Sequence, residues 1–200
     1  MKSYYLHFIR HGETAGNSEG RYIGRTDLPI THDSAIAIKE YADSGVYPDV
    51  DIIYSSPLSR CLQTANIIYP GQELKVVENF NEYNFGIFEN KTAAEVADNP
   101  DFKAWTSGKV SGVPQGETTE EFTARISEGL QQIVFDMSEN NYTHAAIILH
   151  GGIIMRLFAI CALPQRPMLE WHTAAGRGFT ARITPSLFAR SGVIEITEDI

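Results

Sequence analysis

Two histidines, each followed by glycine, come directly after two hydrophobic segments of the chain. Arg10-His11-Gly12 follows the segment that ends at Ile9, and His150-Gly151-Gly152 follows the segment that ends at Leu149. A neutral imidazole is a competent nucleophile at pH 7, and glycine lets an anion approach the backbone closely. The pattern is typical of a site where imidazoles act on an anionic group such as a phosphoryl group.

Two arginines accompany these histidines. Arg10 precedes His11, and Arg60 follows the loop Ser55-Ser56-Pro57. The chain has a formal charge of −9, from 25 acidic and 16 basic side chains. Because this net charge repels anions, an anionic substrate needs a local cluster of cations. A guanidinium can donate two parallel hydrogen bonds to phosphate oxygens, so both arginines are candidates to bind phosphate.

The elements that carry these residues must bring them to one edge of a sheet. Tyr4–Ile9, Asp51–Ser55 and Ala145–Leu149 have the sequence pattern of buried strands, and in open α/β sheets ligands bind beyond the carboxyl ends of strands. The other predicted elements are strands at Leu74–Val77, Phe179–Ile183 and Val193–Thr197, and helices between Thr31 and Gly45 and at Leu58–Tyr69, Thr92–Ala97, Pro100–Thr106, Thr118–Ser138 and Ile153–Ala162. This alternation predicts an α/β fold, a three-layer α/β/α sandwich with a mostly parallel central sheet.

The chain is predicted to form one domain over residues 1–200, with 78–117 as a partly helical, lid-like excursion. Its acidic charge argues against binding to nucleic acid or to a membrane surface. The two cysteines are a hundred residues apart and form no CxxC pair, so no zinc ribbon is expected. No signal peptide and no apolar run of about 18 residues is present, which predicts a cytoplasmic protein.

Several segments together resemble the histidine phosphatase superfamily, also called the phosphoglycerate mutase-like superfamily. The matching segments, in order, are Arg10-His11-Gly12-Glu13-Thr14 with Asn17, then Gly24, Asp27-Leu28-Pro29 and Thr31, then Ser55 to Arg60 with Gln63-Thr64-Ala65, then Glu82 with Phe85-Gly86, Gly116-Glu117, and His150-Gly151-Gly152. The match spans nearly the whole chain. It implies the phosphoglycerate mutase-like fold.

The resemblance also implies roles for individual residues. His11 would be the nucleophile that becomes phosphorylated, Glu82 would be the proton donor and later the base, and Arg10, Arg60 and His150 would stabilise the transferring group. The predicted phosphate- and substrate-binding residues are Arg10, Asn17, Ile23, Gly24, Arg60, Tyr83, His150 and Gly151. No metal or other cofactor is expected. His7, His32, His144 and His172 lack this sequence context and are interpreted as structural or surface residues, although His7 could support the site indirectly.

The residues around Glu82 favour the phosphatase branch of the family, which includes α-ribazole phosphatases. Phosphoglycerate mutases of the family typically have an arginine directly after the catalytic glutamate, where this chain has Tyr83. They often have a small hydroxyl residue at the position of Ile23. These differences predict an apolar, aromatic pocket for the leaving group, formed by Ile23, Tyr83, Phe85 and Trp105.

The predicted function is therefore metal-independent hydrolysis of a small-molecule phosphate monoester through phosphohistidine at His11. Two alternatives remain open: a cofactor-dependent phosphoglycerate mutase, and an inactive relative that only binds phosphate esters. The natural substrate is not determined by the sequence, and α-ribazole phosphate is one candidate. The oligomeric state is also open, with a homodimer as one alternative.

Overall fold

A seven-stranded sheet forms the centre of the computed structural model, which describes residues 3–200. The strands are β1 (Tyr4–Arg10), β2 (Ile52–Ser55), β3 (Leu74–Val76), β4 (His144–Leu149), β5 (Ala162–Leu163), β6 (Gly178–Ile183) and β7 (Ile194–Asp199). Their order is β3-β2-β4-β1-β6-β7-β5, and only β6 runs antiparallel to its neighbours. The predicted α/β fold with a mostly parallel sheet is confirmed. Residues 1 and 2, which the predicted domain includes, lie outside the described range.

Eight α-helices connect the strands within this range. They are α1 (Ala15–Ser18), α2 (His32–Asp43), α3 (Ser59–Ile68), α4 (Ala93–Val96), α5 (Pro100–Thr106), α6 (Thr119–Glu139), α7 (Gly151–Cys161) and α8 (Pro185–Ser191). Three short 3₁₀ turns lie at Glu78–Phe80, Gly86–Phe88 and Met168–Trp171. None of the helices in residues 3–200 is both long and apolar enough to cross a membrane.

The sheet is covered on both faces because successive side chains of β1 point in opposite directions. Phe8 packs in a core that includes Ile126 of α6 and Ile154 of α7. Ile9 packs on the other face, in a second core that includes Ile38 of α2 and helix α3. The result is the three-layer arrangement that the alternating sequence pattern predicts.

The structure differs from the predicted elements mainly in its short segments. Helices α1 and α8, strand β5 and the 3₁₀ turns were not predicted, because elements of two to seven residues leave little periodic pattern in a sequence. Helix α7 begins at Gly151, two residues before the predicted start at Ile153. Glycine is a poor helix former, so the sequence pattern favours a later start. In the structure His150 is the N-cap residue, and both glycines belong to the first turn of α7.

A buried imidazole in the middle of β1 makes stability depend on pH. Nδ1 of His7 lies 3.0 Å from Oγ1 of Thr180, and Nε2 lies 3.3 Å from Nδ1 of His144. Both ring nitrogens of His7 therefore have partners other than the groups around His11. Burial, and then the nearby His144, lower the pKa of His7 to about 4.

We expect the protein to lose stability as the pH falls from about 6.5 to about 4. In the unfolded chain His7 binds a proton near pH 6.5, whereas the folded chain does not bind it until about pH 4, so acid favours unfolding. The loss assigned to His7 is on the order of 2 to 3 kcal/mol between pH 7 and pH 4.5. Urea unfolding of the wild type and of His7→Gln at both pH values measures it. His32→Gln, an exposed residue of α2, is the control. Equal pH dependence in the wild type and His7→Gln would contradict this assignment.

Candidate active site

The carboxyl ends of three parallel strands meet at one edge of the sheet. Arg10 is in register with Leu149, and Ser55 is in register with Ile148. The pairing continues past the strands, since the N–H of His11 donates to the carbonyl of Leu149 at 2.9 Å. The residues that follow β1, β2 and β4 are therefore neighbours. The rings of His11 and His150 lie 5.0 Å apart, centroid to centroid.

The proton of His11 is fixed by its own turn. Nδ1 lies 2.6 Å from the carbonyl oxygen of Gly12, which can only accept, so Nδ1 carries the proton and Nε2 keeps its lone pair. The ring is only 4% exposed, and burial lowers its pKa to about 3, with the charges of Arg60 and Arg10 adding to the effect. His11 is thus a neutral imidazole with a defined nucleophilic nitrogen.

The second imidazole, His150, is completely buried and hydrogen-bonded at both nitrogens. Nε of Arg60 donates to Nδ1 of His150 at 3.2 Å, so the proton of His150 is on Nε2 and is donated to Oγ of Ser56 at 2.8 Å. Burial, the neighbouring imidazole of His11 and the charge of Arg60 hold the pKa of His150 well below its ordinary value. To donate to a phosphoryl oxygen, Nε2–H must exchange Ser56 for that oxygen.

The guanidinium of Arg60 is 1% exposed and lies in the first turn of α3, as predicted. Besides its bond to His150, Nη1 donates to the carbonyl of Thr26 at 2.9 Å and Nη2 to that of Gly24 at 2.8 Å. Among residues 3–200, Arg60 has no carboxylate within ion-pair distance. A buried cation without a paired anion favours binding of an anionic ligand.

Arg10 reaches the same edge from β1. Its Nη1 donates to the carbonyl of Thr173 at 2.6 Å and lies 3.3 Å from Nε2 of His172, a histidine that the sequence pattern left as structural or surface. Its buried Nε has no hydrogen-bond partner in the described chain and lies 3.4 Å from the Cβ position of Gly151. An unpaired buried donor is costly unless a ligand accepts from it.

Glu82 is brought to this edge by the segment after β3 and is 7% exposed. Its carboxyl accepts from the N–H of Tyr83 at 2.8 Å and from the N–H of Gly152 at 3.1 Å. Burial raises the pKa of Glu82, and these N–H groups and Arg60 oppose the rise. A Cβ on Gly152 would lie 2.7 Å from the Glu82 carboxyl, so only glycine permits this close approach.

An ion pair between Glu117 and Arg125, an arginine that no sequence motif contains, holds the segment of Glu82 in place. Arg125 of α6 binds both carboxyl oxygens of Glu117, at 2.9 and 2.6 Å. The same guanidinium donates to the carbonyls of Asn79, Asn81 and Glu82, at 2.8, 2.5 and 3.0 Å. Arg125 is therefore the group that fixes the backbone at Glu82.

Asn17 lies nearby in α1 and is half-buried. Its amide oxygen accepts from the N–H of Thr14 at 3.1 Å and from Oγ1 of Thr14 at 2.9 Å, which completes a capping box. Asn17 thus shapes the turn after His11. Its amide N–H₂ group makes no hydrogen bond to the described residues and remains available to a ligand.

A cavity of about 710 Å³ opens beside Glu82. Ile23 and Tyr83 line it, as the sequence predicts, together with Phe85 and Trp105. The lining residues that sequence reasoning did not select include Thr119, Met155, Arg156, Met168 and Leu169. Gly24 is not among the lining residues, and it packs closely against the backbone of Tyr83, since a Cβ there would be 1.8 Å from the Tyr83 carbonyl oxygen. The cavity can hold an organic group attached to a phosphate.

The edge of the sheet therefore joins a neutral imidazole, a second imidazole, two guanidiniums and a buried carboxyl group. Such a set can bind a phosphoryl group, supply a nucleophile and donate a proton. Within residues 3–200, no group of three or more His, Cys, Asp or Glu side chains is arranged to hold a metal ion.

The chain is similar in sequence to proteins named as phosphatases and in structure to a phosphoglycerate mutase. The chain is 32% identical to a protein of Hydrogenobacter thermophilus named "Putative phosphoserine phosphatase 2", over 82% of this chain and 79% of that one. It is 26% identical to the adenosylcobalamin/alpha-ribazole phosphatase of Escherichia coli (strain K12), over 86% of each chain. The crystal structure of a phosphoglycerate mutase from Bacillus anthracis superposes with a TM-score of 0.78 at 18% identity, over 98% of this chain and 92% of that one.

A family model covers most of the chain as well. The model of the histidine phosphatase superfamily (branch 1) matches residues 6–180, a range that contains every residue of the site described above. The resemblance inferred from the sequence is thereby confirmed, and so is the phosphoglycerate mutase-like fold. The chain belongs to the histidine phosphatase superfamily, branch 1.

Proposed function

We propose that the protein is a metal-independent phosphatase that hydrolyses a small-molecule phosphate monoester through phosphohistidine at His11. The observation that best supports this proposal is the protonation state of His11. Its Nδ1 proton is held by the Gly12 carbonyl, so Nε2 is free to attack, and Arg10 and Arg60 supply positive charge beside it. These guanidiniums can stabilise the transferring oxygens, which is the role of the metal in many phosphoryl-transfer enzymes.

The reaction has two steps. First, the lone pair of His11 Nε2 forms a bond to phosphorus as the ester P–O bond breaks, and the carboxyl proton of Glu82 passes to the leaving oxygen. Next, the Glu82 carboxylate takes a proton from water, whose oxygen bonds to phosphorus as the P–N bond breaks. The raised pKa of Glu82 supports the first role, because the acid must carry its proton near neutral pH.

The lining of the cavity favours a phosphatase over a mutase. The lining includes Ile23, Tyr83 and Phe85, which are apolar or aromatic, together with two arginines, Arg21 and Arg156, of which Arg21 is paired with Glu19 and Glu95. A mutase must bind a small phosphorylated acid closely at this position, whereas an apolar wall suits a larger organic leaving group. The intact set of side chains at the strand ends argues against an inactive relative.

Assays of aryl phosphates and of candidate natural monoesters test the proposal. We expect hydrolysis that EDTA does not reduce, including hydrolysis of at least one monoester in a panel that starts with phosphoserine and alpha-ribazole phosphate, the groups named in the relatives. Tight binding of phosphate esters without turnover would identify an inactive relative. Rapid isomerisation of phosphoglycerate that depends on 2,3-bisphosphoglycerate would identify a mutase.

Removing the Arg125 guanidinium should impair proton donation by Glu82. In Arg125→Met the backbone at Glu82 loses its clamp, so we expect kcat/KM for phenyl phosphate to fall by roughly 10-fold or more. The value for 4-nitrophenyl phosphate should fall less, because that leaving group needs little proton donation. Global stability should also fall, on the order of 3 kcal/mol, since Glu117 is left buried and unpaired.

The control is Arg182→Met, which removes an ion pair with Glu195 that is half-exposed on the opposite part of the sheet. It should leave the ratio of the two substrates unchanged. Equal losses for both substrates in Arg125→Met would mean that Arg125 supports the fold without positioning Glu82.

A further inference from the structure

Two guanidiniums line the cavity beside Glu82, and they differ in their surroundings. Arg21 is neutralised, because Nε lies 2.6 Å from a carboxyl oxygen of Glu19 and Nη1 lies 3.1 Å from one of Glu95. Arg156 has no carboxylate within 4 Å among residues 3–200. Its Nε donates to Oγ1 of Thr123 at 2.8 Å, and its two Nη groups make no hydrogen bond to the described residues. Among the described residues, the charge of Arg156 is therefore not neutralised by a carboxylate, and its Nη groups are available as hydrogen-bond donors.

The position of Arg156 on α7 places its backbone about one helical turn from that of Gly152. The N–H of Gly152 donates to the Glu82 carboxyl. Arg156 follows Gly152 by four residues on α7, so the two residues lie on the same side of the helix. Four residues of helix span about 6 Å. The lining of the cavity also includes Met155, Tyr83 and Phe122, which are apolar or aromatic. A ligand that touches both ends needs an apolar body about one helical turn long.

The charge of Arg156 indicates which chemical group the ligand carries at the end that contacts the guanidinium. The protein carries a net charge of −9, so an anion binds at this position only if a local cation outweighs the general field. A single guanidinium matches one carboxylate, with two parallel hydrogen bonds and one neutralised charge. A second phosphate would bring nearly two negative charges, and the neutralised Arg21 cannot balance the other.

We propose that Arg156 binds a carboxylate on the leaving group. The preferred substrates are then phosphate monoesters whose apolar, ring-sized leaving group carries a carboxylate about one helical turn from the ester oxygen. This inference rests on the proposed phosphatase function and adds the class of leaving group that the cavity selects.

Two matched esters test the proposal. 4-Carboxyphenyl phosphate carries the carboxylate, and 4-carbamoylphenyl phosphate replaces it with a neutral amide of the same shape. The quantity to measure is the ratio of kcat/KM for the acid to kcat/KM for the amide. The two phenols differ as leaving groups, but this difference cancels when the ratio is compared between the wild type and a variant.

We expect the ratio to fall roughly 10-fold in Arg156→Gln, because one charge-assisted pair in a partly exposed cavity is lost. Hydrolysis of the amide ester should stay near the wild-type rate in the same variant, which shows that it folds. Arg156→Lys should keep part of the preference, since the charge remains without the fork. Arg21→Gln, in the same cavity, should leave the ratio unchanged because Glu19 and Glu95 already neutralise Arg21.

The outcomes separate the two proposals. If the wild type hydrolyses neither ester nor any other monoester, the phosphatase function itself fails. If both esters are hydrolysed and Arg156→Gln leaves the ratio unchanged, the carboxylate site is overturned and the phosphatase stands. A fall in Arg21→Gln as large as that in Arg156→Gln would also overturn it, since the effect would then come from general charge.

Discussion

His11→Ala is expected to lower the rate of phosphate ester hydrolysis by about 10⁴- to 10⁶-fold, because it removes a nucleophile that acts as a unit with its partners. The structure leaves no substitute at this position. The other imidazole, His150, is 5.0 Å away and both of its nitrogens are hydrogen-bonded, one to Arg60 and one to Ser56. Steady-state rates with 4-nitrophenyl phosphate measure the loss.

A phosphate label shows whether the loss comes from the nucleophile. Wild-type protein quenched during turnover of a ³²P-labelled ester should carry acid-labile label, as phosphohistidine does, and His11→Ala should carry none. His32→Ala, at an exposed position of α2, is the control and should keep both activity and label. His11→Ala within tenfold of the wild-type rate would refute the proposed mechanism.

Glu82→Gln is expected to lower kcat/KM for phenyl phosphate by about 10²- to 10⁴-fold, since the amide cannot donate a proton to the leaving oxygen. The loss for 4-nitrophenyl phosphate should be much smaller, because nitrophenolate leaves without a proton. The amide also cannot activate water, so the phosphoenzyme should accumulate and give a burst of nitrophenol. Stopped-flow absorbance at several enzyme concentrations measures both effects.

The pH profile gives an independent check on Glu82. Burial raises the pKa of Glu82, so its protonated form persists to higher pH than for an exposed glutamate. In the wild type, kcat/KM for phenyl phosphate should decline on the alkaline side as this proton is lost, and in Glu82→Gln that decline should be absent. Glu40→Gln, at an exposed position of α2, serves as the control. Equal losses for both leaving groups would assign proton donation to another residue.

The sequence was sufficient for the fold and for the meeting of the strand ends. Hydrophobic runs such as Tyr4–Ile9 and Ala145–Leu149 are long enough to identify as strands, and glycines directly after the histidines mark the turns. The start of α7 was misplaced because Gly152 is a poor helix former. Glycine is required at position 152 because the Glu82 carboxyl packs against it, and this contact is visible only in the tertiary structure. Short elements such as α1 and β5 depend on packing as well, and their local sequence does not specify them.

The parts of the site that escaped prediction share one property. Arg125, Arg156 and His172 reach the cavity or its supporting residues from positions outside the motifs. An arginine in a helix such as α6 has the same sequence appearance whether it is exposed or holds a buried carboxylate. Ser56 was visible within its motif, but its hydrogen bond to His150 depends on the distance between two loops. Such contacts follow from geometry that spacing along the chain does not encode.

The turn at His11 and Gly12 has a consequence for how the enzyme tolerates sequence change. Many catalytic histidines are oriented by a carboxylate, which a single codon change can delete. Here the orienting group is a peptide carbonyl, and every amino acid at position 12 would still possess one. Genetic variation can therefore disturb the choice of imidazole tautomer only by displacing the main chain, so side chains elsewhere in the pocket can change while Nδ1 of His11 keeps its proton.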